Sequence, residues 1–131
     1  MAAPRELQIT LAGERRVEAR FGEHVVRTDQ PVELGGGNTA PSPFDLFLAS
    51  IGTCAGIFVQ GFCAKRGIPF EQIRIVENVE FDDTGVLSRV DLKLELPADF
   101  PEKYKDAVLK VAEQCSVKKA IAAQPKFDVH V

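Results

Sequence analysis

The fold of this chain is decided by residues 42–67, which read SPFDLFLASIGTCAGIFVQGFCAKRG. A serine at the N-cap, a proline at the first helical position and an acid three residues after the cap predict a helix start at Ser42, Pro43 and Asp45. The helix is expected to run to Lys65 or Arg66, over about 36 Å, and to end at Gly67. Residues 46–64 carry no charge and have apolar side chains all round, so we expect burial on most sides.

An uncharged run of this length has to be compared with a membrane span, which needs about 20 apolar residues. Small and polar residues dilute the hydrophobicity of this one, namely Ser50, Gly52, Thr53, Gly56, Gln60 and Gly61. No other segment resembles a span, and the remaining predicted elements are amphipathic. The run is therefore expected to be the core helix of a protein that is not in a membrane.

Alternating apolar residues before the helix predict a three-stranded meander, with strands near residues 7–11, 17–21 and 24–27. A loop follows, with Gly35-Gly36-Gly37-Asn38 at its centre. It is not a P-loop, because no Gly-Lys-Ser/Thr follows it. We interpret the glycines as a flexible linker.

After the helix the pattern predicts a hairpin, two helices and a last strand, near residues 73–81 with 86–96, 101–115, 116–123 and 127–131. Because the strands come in hairpins, the sheets should be antiparallel and the fold class α+β. A chain of 131 residues is most simply one domain, residues 1–131.

Charge and cysteine content narrow the class of protein. A net charge of −3 without a basic stripe argues against nucleic acid as a partner. The first residues lack the apolar core of a signal peptide, so a cytoplasmic location is expected. Standing disulfides are uncommon in that compartment, and an odd count of three cysteines argues against a disulfide framework. The two histidines have no metal-ligand spacing, so no metal site is expected.

The spacing of the cysteines limits how they can pair. Cys54 and Cys63 lie on opposite sides of one predicted helix, roughly 13 Å apart along its axis. A disulfide needs Cα atoms within about 7 Å, so these two cannot pair and Cys63 is interpreted as a core residue. If Cys54 has a partner within the chain, that partner is Cys115.

Cys115 is predicted at the N-terminus of a short helix, followed by Lys118 and Lys119. A helix dipole and nearby cations both lower a thiol pKa. Cys54, in the middle of its helix, gains little from a dipole and would need a cation from another element. On local sequence alone, two buried structural cysteines remain the simpler alternative to a reactive pair.

Several stretches taken together resemble one family: PVELGGG at 31–37, APSP at 40–43, LFLASIGTC at 46–54 and CSV at 115–117. This combination is similar to the OsmC/Ohr family, the osmotically inducible and organic hydroperoxide resistance proteins. The resemblance implies an OsmC-like α+β fold, with curved antiparallel sheets wrapped around a long central helix in an intertwined homodimer. It places the active sites at the subunit interface.

The resemblance also implies a thiol-dependent peroxidase. Cys54 matches the cysteine that attacks the peroxide and Cys115 the one that resolves the sulfenic acid into a disulfide. No bound cofactor is implied, and an external dithiol of lipoyl type would restore the thiols. Apolar residues near Cys54 would form a pocket suited to organic hydroperoxides, and they are Phe47, Ile51, Ile57 and Phe58.

Two positions of the family pattern concern the groups around the thiolate. Family peroxidases hold the thiolate with an arginine, for which Arg15 or Arg16 lies nearest; Arg20 and Arg27 are alternatives, and solvated strand charges are the simpler interpretation of all four. Phe44 stands where those peroxidases carry a glutamate. Two other functions therefore stay open: a non-catalytic module that binds a small apolar or sulfur ligand, and an enzyme of thiol or persulfide transfer.

Overall fold

The computed structural model of the protein describes residues 5–131. Residues 1–4, on which the expectation of no signal peptide partly rests, lie outside the described residues. The chain forms two compact units, one ending at Leu48 and one formed by residues 49–131. The assignment of residues 1–131 to one domain stays a prediction.

The first unit contains a three-stranded antiparallel sheet. Its strands are β1 (Gln8–Gly13), β2 (Arg16–Phe21) and β3 (His24–Thr28), with β2 in the middle. The register pairs Leu11 with Val17 and Ala19 with Val26. This pairing confirms the predicted meander. Such a meander can be predicted because tight turns fix the pairing of neighbouring strands locally.

The loop after β3 is organised around one buried carboxylate. Asp29 accepts hydrogen bonds from the backbone N–H groups of Gln30 (2.7 Å), Gly37 (3.4 Å) and Thr39 (3.0 Å), and from the Thr39 hydroxyl (2.6 Å). These bonds, the Thr39 hydroxyl foremost, hold the pKa of Asp29 well below its usual range. A Cβ on Gly36 would fall against the Gln30 carbonyl. The interpretation of this loop as a flexible linker is therefore wrong.

The long helix α1 spans Pro43–Lys65, as predicted. Its start is fixed by Ser42, whose Oγ accepts a hydrogen bond from the Asp45 N–H at 3.1 Å. Within the second unit α1 buries one face, formed by Ile51, Ala55, Val59, Phe62 and Cys63. The opposite face is open, and Ile57 is 68% exposed.

The expectation that α1 is buried on most sides is wrong for the described chain. Only one side of the helix meets neighbouring elements of the second unit, and 28% of the residues in its most apolar 18-residue stretch are buried. By length and composition alone, α1 also meets the requirements for a membrane span. An apolar helix face of this kind needs a cover that the described residues of the second unit do not supply.

The second unit packs a hairpin and two short helices against α1. The hairpin consists of β4 (Arg74–Phe81) and β5 (Leu87–Glu95), and the helices are α2 (Lys105–Ala112) and α3 (Ser116–Ala123). A 3₁₀ turn at Glu102–Tyr104 precedes α2. The core of this unit consists of Ala55, Val59, Phe62, Cys63, Ile68, Phe100, Val108 and Ala112. The antiparallel α+β class is confirmed.

The strand predicted near residues 127–131 does not form. Residues 124–131 are neither helix nor strand, and Phe127 and Val129 are 83% and 96% exposed. Alternation of apolar side chains produces a strand only where a neighbouring strand accepts its hydrogen bonds. Within residues 5–131 no strand pairs with this segment.

Candidate active site

The reactive centre of the second unit is the sulfur of Cys54, half-buried on α1. This sulfur accepts hydrogen bonds from the backbone N–H groups of Val117 and Ser116 and from the Cys115 side chain. These bonds lower the pKa of Cys54, with the Val117 amide contributing most and burial acting in the opposite direction. The arrangement stabilises a thiolate at Cys54.

The anion-stabilising group comes from another helix. We expected a mid-helix Cys54 to need a cation, and instead the N-terminus of α3 points its first backbone N–H groups at the sulfur. The dipole of α3 therefore acts on Cys54 rather than on Cys115 alone. The sequence carried a signal for this helix start, but its orientation towards α1 depends on tertiary packing.

Cys115 is the N-cap of α3, as its predicted position at the helix start required. Its Sγ accepts a hydrogen bond from the Lys118 N–H at 3.4 Å, and its backbone is extended, with φ −60° and ψ 136°. The side chain is fully buried, and its S–H group also lies 4.0 Å from the Ile51 carbonyl oxygen. Folding therefore brings the Cys115 side chain next to the Cys54 sulfur, although the two residues lie far apart in the sequence.

Cys63 is fully buried in the core, as predicted. Burial raises the pKa of the Cys63 thiol, and the nearby charge of Arg66 opposes that effect in part. A thiol that is inaccessible and protonated reacts slowly with oxidants. This environment separates Cys63 from the Cys54 and Cys115 pair.

An apolar cavity of about 450 Å³ lies beside Cys115. Two of its lining residues, Ile51 and Lys118, contact Cys115 through their backbones. The rest of the lining comes from β5, α2 and α3 and consists of Val90, Leu92, Leu94, Leu109, Ala112, Glu113, Ile121 and Ala122. The volume and lining are those of a small-molecule site.

Of the four residues predicted to form one pocket, the three in the second unit line two different cavities. Ile51 lines the cavity beside Cys115, whereas Ile57 and Phe58 line another of about 350 Å³. Six residues along a helix correspond to a rotation of about 240°, so Ile57 faces away from Ile51. Phe47 belongs to the first unit and stacks against Phe44, with ring centroids 5.6 Å apart.

The candidate arginines lie in the first unit. The Arg15 guanidinium covers Gly35, where an added Cβ would come within 3.3 Å of its Nε. Arg16 lies 4.0 Å from a Glu14 oxygen. The alternatives, Arg20 and Arg27, both contact Glu18, at 3.3 and 3.4 Å. The role of any of them at the thiolate stays a prediction.

Sequence reasoning missed Glu77. This residue lies on β4 at a core-facing position, opposite Leu92 on β5, and its carboxyl group lies against Gly52 of α1. Burial raises the pKa of Glu77. The signal was present, because an acid interrupts the apolar alternation of Ile75 and Val79.

Comparison with protein families finds one match over most of the chain. The model described as OsmC-like protein matches residues 35–130. No curated protein sequence matches the chain significantly.

Solved structures share the fold at low identity. A protein from Psychrobacter arcticus, described as an osmotic stress induced and detoxification response protein, superposes with a TM-score of 0.75 at 20% identity, covering 92% of this chain and 90% of that one. An organic hydroperoxide resistance protein from Elizabethkingia anophelis gives 0.62 at 20%, covering 95% and 93%. An OsmC-like protein of unknown function from Vibrio cholerae gives 0.65 at 11%, covering 91% and 94%.

Proposed function

Because this chain belongs to the OsmC-like protein family, we propose that it is a thiol-dependent peroxidase that reduces organic hydroperoxides. Some proteins of the same fold are described as organic hydroperoxide resistance proteins, which supports a role in oxidative stress. The observation that carries the proposal is the Cys54 sulfur, which receives hydrogen bonds from two amides of α3 and from the Cys115 thiol.

The proposed chemistry uses these groups in two steps. The Cys54 thiolate attacks one peroxide oxygen, the O–O bond breaks, and the alkoxide leaves as an alcohol after taking a proton from solvent. Cys54 is then a sulfenic acid, which the Cys115 thiol attacks to form a disulfide and water. The amides of Ser116 and Val117 hold the anionic sulfur before attack, and Cys115 is already adjacent for the second step.

Regeneration needs two electrons from outside the chain. We propose an external dithiol of lipoyl type, which would exchange with the disulfide, leave as a cyclic disulfide and return both cysteines to thiols. No bound cofactor is required for either step. The apolar cavity beside Cys115 favours organic over inorganic peroxides as substrates.

We propose that the protein is a cytoplasmic homodimer that binds neither nucleic acid nor membrane. The uncovered face of α1 carries Ile57 together with the polar residues Thr53 and Gln60. Such a mixed face suits a second copy of the chain better than lipid, where polar side chains are costly. The net charge of −3 supports the absence of a nucleic-acid partner.

Thiol titration tests the proposed function. One equivalent of cumene hydroperoxide should rapidly remove two thiols per wild-type chain. Cys54→Ser should abolish that loss, and the matched variant Cys63→Ser should leave it largely intact, because Cys63 lies in the core. If Cys63→Ser abolishes the loss while Cys54→Ser does not, the assignment of the reactive pair is wrong.

The cavity of about 450 Å³ favours one alternative function, a non-catalytic module that binds a small apolar ligand. In that case the thiols should be unchanged after peroxide. Binding of an apolar fluorescent probe should then be the same in wild type and in Cys54→Ser.

A further inference from the structure

The polar contacts that join helix α3 to the rest of its unit lie at its N-terminus. It has eight residues and no buried side chain, and Ile121 is about half exposed. Helices of this length are marginal in water without tertiary contacts. The contacts at its start are those of the two sulfurs: the Lys118 N–H donates to Cys115, and the Val117 and Ser116 N–H groups donate to Cys54.

Disulfide formation changes every one of those contacts. Oxidation removes the negative charge of Cys54, which the N-terminus of α3 stabilises. It also turns the Cys115 sulfur away from the Lys118 N–H and the Ile51 carbonyl, because Sγ has to approach Cys54 to about 2 Å. The first turn of α3 then loses its cap and its anion together.

The surroundings of α3 do not compensate for that loss. One side of the helix, with Lys118, Ile121 and Ala122, faces the cavity of about 450 Å³ rather than packed side chains. At its other end, residues 124–131 belong to no helix or strand. A shift of α3 therefore disrupts little packing within the second unit.

We propose that closing the disulfide between Cys54 and Cys115 loosens α3, so that the oxidised protein opens around the sulfurs while the reduced protein stays closed. This inference rests on the proposed function, which supplies the oxidant. Loosening α3 would let an external dithiol reach the disulfide. Such an opening is needed because the Cys115 sulfur is fully buried in the reduced protein and the dithiol is bulky. The new covalent bond ties down residue 115 alone and leaves the amides of residues 116–123 free to open.

Hydrogen exchange measured by mass spectrometry tests this inference on the full chain. One sample is reduced, a second is oxidised with one equivalent of cumene hydroperoxide, and a third is oxidised with diamide, which closes disulfides without peroxide. We expect residues 116–123 to exchange about tenfold faster in both disulfide forms, with α2 unchanged. Cys115→Ser, which keeps a good N-cap residue, should show no change after either oxidant. Cys63→Ala should behave as wild type.

Each outcome decides a separate point. A disulfide that forms while residues 116–123 exchange at the same rate or more slowly overturns the inference and leaves the peroxidase standing. If diamide closes the disulfide but peroxide does not, the peroxidase proposal fails, and the exchange rates of the diamide sample still decide the inference. If neither oxidant closes the disulfide, both proposals fall.

Discussion

The carboxyl group of Glu77, on β4, lies against Gly52 in the middle of α1, and the Gly52 amide partly opposes the rise that burial causes in its pKa. A Cβ on residue 52 would lie 2.5 Å from Glu77 Oε1, so glycine is what allows the carboxyl group to approach the helix. The second oxygen, Oε2, is buried and has no hydrogen-bond partner among the described residues. The Glu77 side chain therefore packs against the helix while one of its carboxyl oxygens is buried without a hydrogen bond from the described residues.

Replacing Gly52 tests that fit. Gly52→Ala should lower the free energy of unfolding by about 1 kcal/mol, because the added Cβ forces the Glu77 carboxyl group away from the helix. Urea unfolding at fixed protein concentration gives the value. The matched control is Gly56→Ala, one turn later, whose Cβ would sit 3.9 Å from Ile75 Cδ1 in ordinary contact. That change should raise the free energy by about 0.5 to 1 kcal/mol. Equal effects at both positions would refute the fit.

Stability should depend on pH through Glu77. The pKa of Glu77 is raised in the folded state. Below the unfolded value of 4.5 the carboxyl group is mostly protonated in both states and does not oppose folding. As pH rises from there through the folded value, the buried carboxyl group loses its proton and opposes folding increasingly. Glu77→Gln should therefore stabilise the protein by about 1 kcal/mol at pH 8 and by almost nothing near pH 4. Glu80→Gln, on the exposed face of the same strand, is the control and should show no such trend. A gain for Glu77→Gln that is largest in acid would contradict this argument.

The thiolate of Cys54 should respond to the first amide of α3. Ser116→Pro removes the Ser116 N–H while keeping a helical first position, since the preceding Cys115 is already extended. We expect the pKa of Cys54 to rise, and hence alkylation by iodoacetamide at pH 7 to slow by about threefold. Ser116→Ala keeps the amide and should leave the rate near that of wild type. Identical rates for the two variants would exclude this amide as a stabilising group.

The uncovered face of α1 should determine the oligomeric state. Ile57→Lys places a charge on that face, and sedimentation should show a shift from dimer towards monomer by at least about tenfold in dissociation constant. Val86→Lys changes another exposed apolar residue, in the hairpin turn, and should leave the dimer intact. A wild-type chain that sediments as a monomer at micromolar concentration would remove the basis for the dimer.

Elements specified by neighbouring residues could be predicted from the sequence. The start of α1 follows from Ser42 and Pro43, and the hairpins follow from alternation around tight turns. The last strand was predicted wrongly because the alternation of Phe127 and Val129 says nothing about a pairing strand.

The candidate site was predictable only in part. Its two cysteines could be named from helix geometry and family resemblance, because both depend on sequence position. The source of thiolate stabilisation could not, because it depends on how the start of α3 meets α1 in three dimensions. The four apolar residues near Cys54 were grouped by sequence distance, whereas rotation along α1 sends Ile51 and Ile57 to different cavities.

The glycine-rich loop has a fixed length. Donors from Gln30, Gly37 and Thr39 converge on the single carboxylate of Asp29, so each is set at its own distance along the chain. One extra residue between Gly37 and Thr39 would push at least one donor out of reach. Insertions should consequently be tolerated far less here than at the exposed hairpin tips. Protease cleavage should also be slower here than at those tips, despite the three consecutive glycines.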